Sequence, residues 1–118
     1  MPESAEYPTG VLIERLLDAV SRGDAEGLRA VIDPSITIHT ARGEIEGVDA
    51  ASEWVGKGFD HLDRRFRLLD FTPTDQGARA RAVLEYVWRE SDEVADSTEV
   101  EIEIGLLGGR VTSWRVVE

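Results

Sequence analysis

Two periodicities divide the chain. In residues 9–22, Leu12, Ile13, Leu16, Leu17 and Val20 recur at intervals of three and four, which predicts an amphipathic helix with Thr9 as its N-cap and Gly23 as its stop. Asp24 then caps a short second helix carrying Leu28, Val31 and Ile32. Asp33-Pro34 ends it, because a residue before proline is driven out of the α region. Residues 35–40 read as a β-branched strand with Ile36 and Ile38 on one face, and 41–47 as a polar loop with two glycines. Val48, Ala51, Val55, Phe59 and Leu62 repeat at helical spacing and predict a third helix over 48–62, with Trp54 at the edge of its apolar stripe.

From residue 64 the period changes to two. Phe66 and Leu68 alternate with Arg65 and Arg67 up to Pro73, and the PTDQG segment supplies a turn. In the following strand Ala80, Ala82, Leu84, Tyr86 and Trp88 share one parity, and Arg79, Arg81, Glu85 and Arg89 share the other. Val100, Ile102, Ile104 and Leu106 then alternate with Glu99, Glu101 and Glu103, and Gly108-Gly109 turns the chain into a last strand, RVTSWRVV. Arg79 and Arg81 are expected opposite Glu101 and Glu103 on a solvent-facing sheet surface, where such pairs help set the register. The order of elements is ααβαββββ. It predicts an α+β fold in which three helices pack on one face of a curved antiparallel sheet.

Small residues beside large aromatic ones on the inner sheet face predict a cone-shaped hollow rather than a filled core, and such hollows are where small molecules bind. Composition narrows the occupant. Twenty-four acidic against thirteen basic residues give a net charge of -11, which argues against nucleic acid and anionic membrane surfaces as partners. The 118 residues are enough for one domain, expected over 9–118 behind a flexible tail at 1–8. There is no cysteine, hence no disulfide or thiolate chemistry. No run is apolar enough to span a bilayer or act as a signal peptide, so the expectation is a soluble, cytoplasmic protein.

The segment LLDAVSRGDAEGLRAVIDPSITIHTARGEIEGVDAASEWV resembles the opening of the NTF2-like superfamily, in particular its SnoaL-like bacterial branch. The likeness is carried by Arg22-Gly23-Asp24 closing the first helix, the Asp-Pro strand entry, and Gly43 and Gly47 before the third helix; the closing GGRVTSWRVV is similar to the last hairpin of the family. The resemblance covers about residues 11–117. It implies the cone-like fold, an apolar pocket, and a homodimer through the outer sheet face, where Val83 and Val87 lie among charged residues. The activities it implies range from isomerases, cyclases, dehydratases and epoxide hydrolases to non-catalytic binding proteins. Ketosteroid isomerases of the superfamily place a tyrosine where this chain has Leu16 and a general-base aspartate where it has Thr40. A protonated aspartic acid falls near Ile102 or Glu103. Neither Leu16 nor Thr40 serves proton abstraction. The epoxide-hydrolase branch implies an Asp-Arg-Asp arrangement holding a water, and the alternation reveals no inward-facing trio.

What chemistry remains is sparse. His39 is the leading candidate for a general base at the mouth end of the first strand, although its parity is opposite to Ile36 and Ile38 and a surface position accounts for it equally. His61, between Asp60 and Asp63, reads as a solvated helix end. Neither histidine has metal-ligand spacing, so no metal is expected, and no cofactor. The ligand pocket is expected to be built from Leu16, Thr40, Trp54, Phe59, Ala82, Tyr86, Trp88 and Trp114, with Tyr86 as the preferred hydrogen-bond donor and second catalytic candidate. Two functions follow: a cofactor-independent isomerase- or cyclase-type enzyme acting on an apolar cyclic substrate, or a non-catalytic module that binds a small apolar molecule or dimerises.

Overall fold

The computed structural model describes residues 8–40, 42–56 and 62–117. Helix α1 (Thr9–Arg22) buries Leu12, Ile13, Leu16, Leu17 and Val20, the stripe set by its sequence. Its N-cap is Pro8 rather than Thr9. The Pro8 carbonyl accepts the first helical hydrogen bond, from the Leu12 N–H at 2.9 Å, so Thr9 is already helical and no side chain caps the end. Gly23 closes α1 in the left-handed region at φ 66, and Asp24 accepts the Gly27 N–H at 3.0 Å to start α2 (Ala25–Val31).

Strand β1 (Ile32–Thr40) starts earlier than its β-branched run, with Asp33 and Pro34 inside an irregular first half. The expected loop after it contains a short strand, β2 (Gly43–Glu46), paired back on β1. Helix α3 (Val48–Gly56) follows. The predicted helical position Leu62 instead opens β3 (Leu62–Thr74), which shortens that helix relative to its apolar repeat. Strands β4 (Gly77–Trp88), β5 (Val94–Leu107) and β6 (Arg110–Val117) complete a six-stranded sheet in the order β2-β1-β6-β5-β4-β3. Every pairing is antiparallel except β1 with β6, so the sheet is mixed. A parallel pair needs a long crossover, and everything from β2 to β5 provides it.

The fold is α+β, with α1 packed on β3 and α3 on β1, all on one face of the sheet. The core lies between, and includes Ile36, Ile38, Ala80, Ala82, Val100 and Ile102. On the other face Arg79 pairs with Glu103 at 3.4 Å, while Arg81 reaches Asp70 at 2.6 Å and Glu99 at 3.0 Å. Arg79 faces Glu103 and Arg81 faces Glu101 in register, as the alternation predicts, and Arg81 bonds diagonally. Among the described residues no helix is long and apolar enough to cross a membrane.

The alternation fails at the end of β4. Tyr86 is opposite Asp96 but Val87 is opposite Val94, so β5 carries one extra residue there. Such a bulge increases twist and re-aims the side chains beyond it. Val87 is consequently buried outside the main core cluster, and Trp88 is 45% exposed where the turn closes through the Trp88 N–H and Glu93 carbonyl. Two expectations are corrected by this local geometry: Trp88 does not line an interior pocket, and Val87 has no surface to offer a second copy.

Candidate functional site

Trp54 projects from the last turn of α3 toward two residues of the sheet. The Trp114 ring meets Trp54 edge-on at 6.2 Å and Phe66 edge-on at 5.5 Å, the geometry aromatic quadrupoles favour. Trp114 is 3% exposed and forms the floor of the cluster. Beside it lies a cavity of about 680 Å³, within the range that holds small ligands. Trp54, Phe66, Leu84 and Trp114 form its apolar walls; Arg64 and Tyr86 supply polar groups.

Arg64 is the residue the sequence reading missed. It has the parity of Phe66 and Leu68, so β3 turns it to the same face, where its register partner on β4 is Tyr86. The guanidinium carbon lies 5.1 Å from the centre of the Trp54 ring. That is close enough for the ring face to stabilise the cation. Loss of water around Arg64 lowers its pKa from the ordinary arginine value, an effect opposed by Tyr86. The signal was present in the alternation: a strand read from residue 64 with Phe66 and Leu68 inward places Arg64 inward too.

The other sequence-derived candidates separate clearly. His39, Thr40, Trp54, Tyr86 and Trp114 all border the cavity. Leu16 and Ala82 do not, being 1% and 0% exposed within solid core where helix and sheet meet. Phe59 and His61 lie outside the described residues. The Thr40 hydroxyl donates to the Gly43 carbonyl at 2.8 Å and accepts from the Arg42 N–H at 3.2 Å, so it holds the β1–β2 turn.

His39 stands at the rim. Its Nδ1 is 3.1 Å from Glu44 across the hairpin, and a third of its side chain is exposed. A carboxylate on Nδ1 favours the tautomer with a proton there, leaving Nε2 as an acceptor. The ring also borders a second groove, of about 480 Å³, bounded by Arg79, Glu103, Ser113 and Arg115, residues of outward parity. Among the described residues no carboxylate lies within 4.0 Å of the Arg64 guanidinium.

A helical layer on a mixed sheet with an aromatic cavity at one end defines an NTF2-like α+β protein. The SnoaL-like domain family matches residues 13–118, and the chain belongs to that family. Solved structures share the fold at low identity. One, from Catenulispora acidiphila, is a hypothetical protein with a ketosteroid isomerase-like fold in complex with trimethylamine. It has a TM-score of 0.78 and 12% identity over 94% of this chain and 87% of the other. A candidate polyketide cyclase from Xanthomonas campestris has a TM-score of 0.76 and 16% identity over 98% and 93%. An LEH-like epoxide hydrolase from M. tuberculosis has a TM-score of 0.74 and 12% identity over 91% and 79%. No curated protein matches the chain.

Proposed function

We propose that this protein binds a flat, largely apolar small molecule in the cavity beside Trp114 and acts on it as a cofactor-independent isomerase or cyclase. The observation that carries the reading is the edge-on packing of Trp54 and Phe66 around Trp114 next to a 680 Å³ space. Aromatic walls offer large contact area at low entropic cost, and the polar groups are few enough to orient one ligand. His39 is the proton-transfer group. With Glu44 on Nδ1, its Nε2 takes a proton from carbon next to a carbonyl and returns it at another position, so the reaction is redox-neutral. Tyr86, on the inner wall, donates a hydrogen bond to the carbonyl oxygen.

A second reading, a binding module without catalysis, is favoured by the outward parity of His39. A thermal-shift panel of steroids, polyketides and terpenes tests the shared part, since a ligand of the folded state raises the melting temperature by mass action. No shift with any of them ends both readings. For a ligand that binds, His39→Gln is expected to abolish turnover while leaving the shift intact; absence of turnover in the unaltered protein selects the binding module.

We propose in addition a second copy on the outer sheet face, around the Arg79–Glu103 and Arg81–Glu99 pairs and without Val87. Light scattering coupled to size exclusion is expected to give twice the 13.1 kDa chain mass, and the single-chain mass at high concentration would exclude it.

A further inference from the structure

The cavity differs from the rest of the molecule in charge. The chain as a whole is at -11, yet among the described residues the cavity is bordered by Arg64, and by Arg115 at the rim it shares with the outer groove, against one carboxylate, Glu44. Glu44 is already engaged by His39. Arg64 is drawn partly out of water on an inner sheet face, a placement that costs free energy unless an opposite charge or a polar partner compensates. The Trp54 ring supplies part of that compensation, at 5.1 Å from the guanidinium carbon. Among the described residues no carboxylate supplies the rest.

We infer that the ligand of this cavity carries an anionic oxygen group, a carboxylate or its equivalent, which docks on Arg64 while its flat apolar body lies against Trp54, Phe66 and Trp114. The inference rests on the small-molecule reading above and adds the chemical class of the occupant. A guanidinium presents parallel N–H donors that match the two oxygens of a carboxylate, and the Trp54 ring 5.1 Å from its carbon helps hold it beside the cavity. Tyr86, the register neighbour of Arg64, borders the same space. A neutral apolar ligand would cover the guanidinium without offering it an opposite charge, and would gain nothing from its position.

The test compares 2-naphthoate with its methyl ester by calorimetry on the full chain, for the unaltered protein, Arg64→Gln and Arg64→Lys. The acid is expected to bind the unaltered protein at least about tenfold more tightly than the ester, as a charge-assisted pair implies. The preference should weaken as salt is raised, shrink in Arg64→Lys and vanish in Arg64→Gln. Equal affinity for acid and ester in the unaltered protein overturns the inference and leaves the small-molecule reading standing. An acid preference that survives in a folded Arg64→Gln also overturns it. Binding of neither compound overturns the inference, and the apolar-ligand reading beneath it falls as well when the thermal-shift panel also gives no shift. The acid–ester comparison and its salt dependence need no variant, so a poorly folded substitution does not decide the matter.

Discussion

Arg64 on β3 and Tyr86 on β4 are directly opposed cross-strand partners on the inner face of the sheet. Two pairs precede them along the same face: Leu68 opposite Ala82, then Phe66 opposite Leu84. The row thus passes from small and apolar to large and polar as it leaves the core for the cavity. Ala82 is fully buried in the core, whereas Arg64 and Tyr86 border open space. One pleat therefore sorts packing from recognition by distance along the strand alone.

The two tryptophans of equal parity at the sheet ends are expected to behave differently. Trp114→Ala removes a buried ring with two aromatic neighbours and should cost about 3 to 5 kcal/mol. Trp88→Ala, at the exposed hairpin end, should cost much less and leave ligand-induced thermal shifts unchanged. Urea melts of both variants check this. Equal losses would place Trp88 back in the core.

Gly77 and Gly105 face each other across β4 and β5, but for different reasons. A Cβ on Gly77 would run into the Ile104 carbonyl and come within 2.7 Å of the Leu106 nitrogen, and backbone atoms in a paired sheet have little room to yield. Gly77→Ala is expected to cost about 1 to 3 kcal/mol. On Gly105 the added carbon would meet the hydroxyls of Ser113 and Thr112, which rotate away. Gly105→Ala should therefore be the milder change in a denaturant melt, and the reverse order would contradict the structure.

Stability is expected to fall at acid pH through two aspartates in particular. Hydrogen bonds from the Ser35 N–H and hydroxyl hold the Asp33 carboxyl below the usual value, and the Arg81 guanidinium does the same for Asp70. A carboxyl lowered on folding leaves the unfolded chain with more bound protons, so stability rises with pH across the window. The contribution is complete above the ordinary aspartate value of about 3.9 and is lost as pH falls through the lowered folded value. Equilibrium unfolding from pH 7 to pH 2 should show this fall, and the double variant Asp33→Asn, Asp70→Asn should flatten it. An unchanged slope in that variant would refute the assignment.

Much of the fold was legible because period and punctuation agree locally. The stripe of α1, the stop at Gly23, the cap at Asp24 and the Arg79–Glu103 and Arg81–Glu101 register each depend on residues a few positions apart or on a simple two-residue alternation. The third helix was overextended because Leu62 continues its apolar spacing, and spacing alone does not tell where a helix has given way to a strand. Strand β2 escaped notice because a four-residue strand that begins on Gly43 and is followed by Gly47 carries too short a pattern; its pairing partner, not its composition, makes it a strand.

By itself, then, the amino-acid order determined the helical hairpin, the alternating strands, the charged outer ladder and the aromatic residues available to an inner face. Tertiary structure decided which of those aromatics meet. The bulge opposite Val87 withdraws Trp88, close packing of helix on sheet fills the space around Leu16 and Ala82, and the β3–β4 register brings Arg64 to Tyr86 beneath Trp54. The reason is that periodicity reports only which side of an element a residue takes. Whether that side meets core, cavity or water is fixed by elements far away in the chain, through pairing and packing that no local pattern encodes.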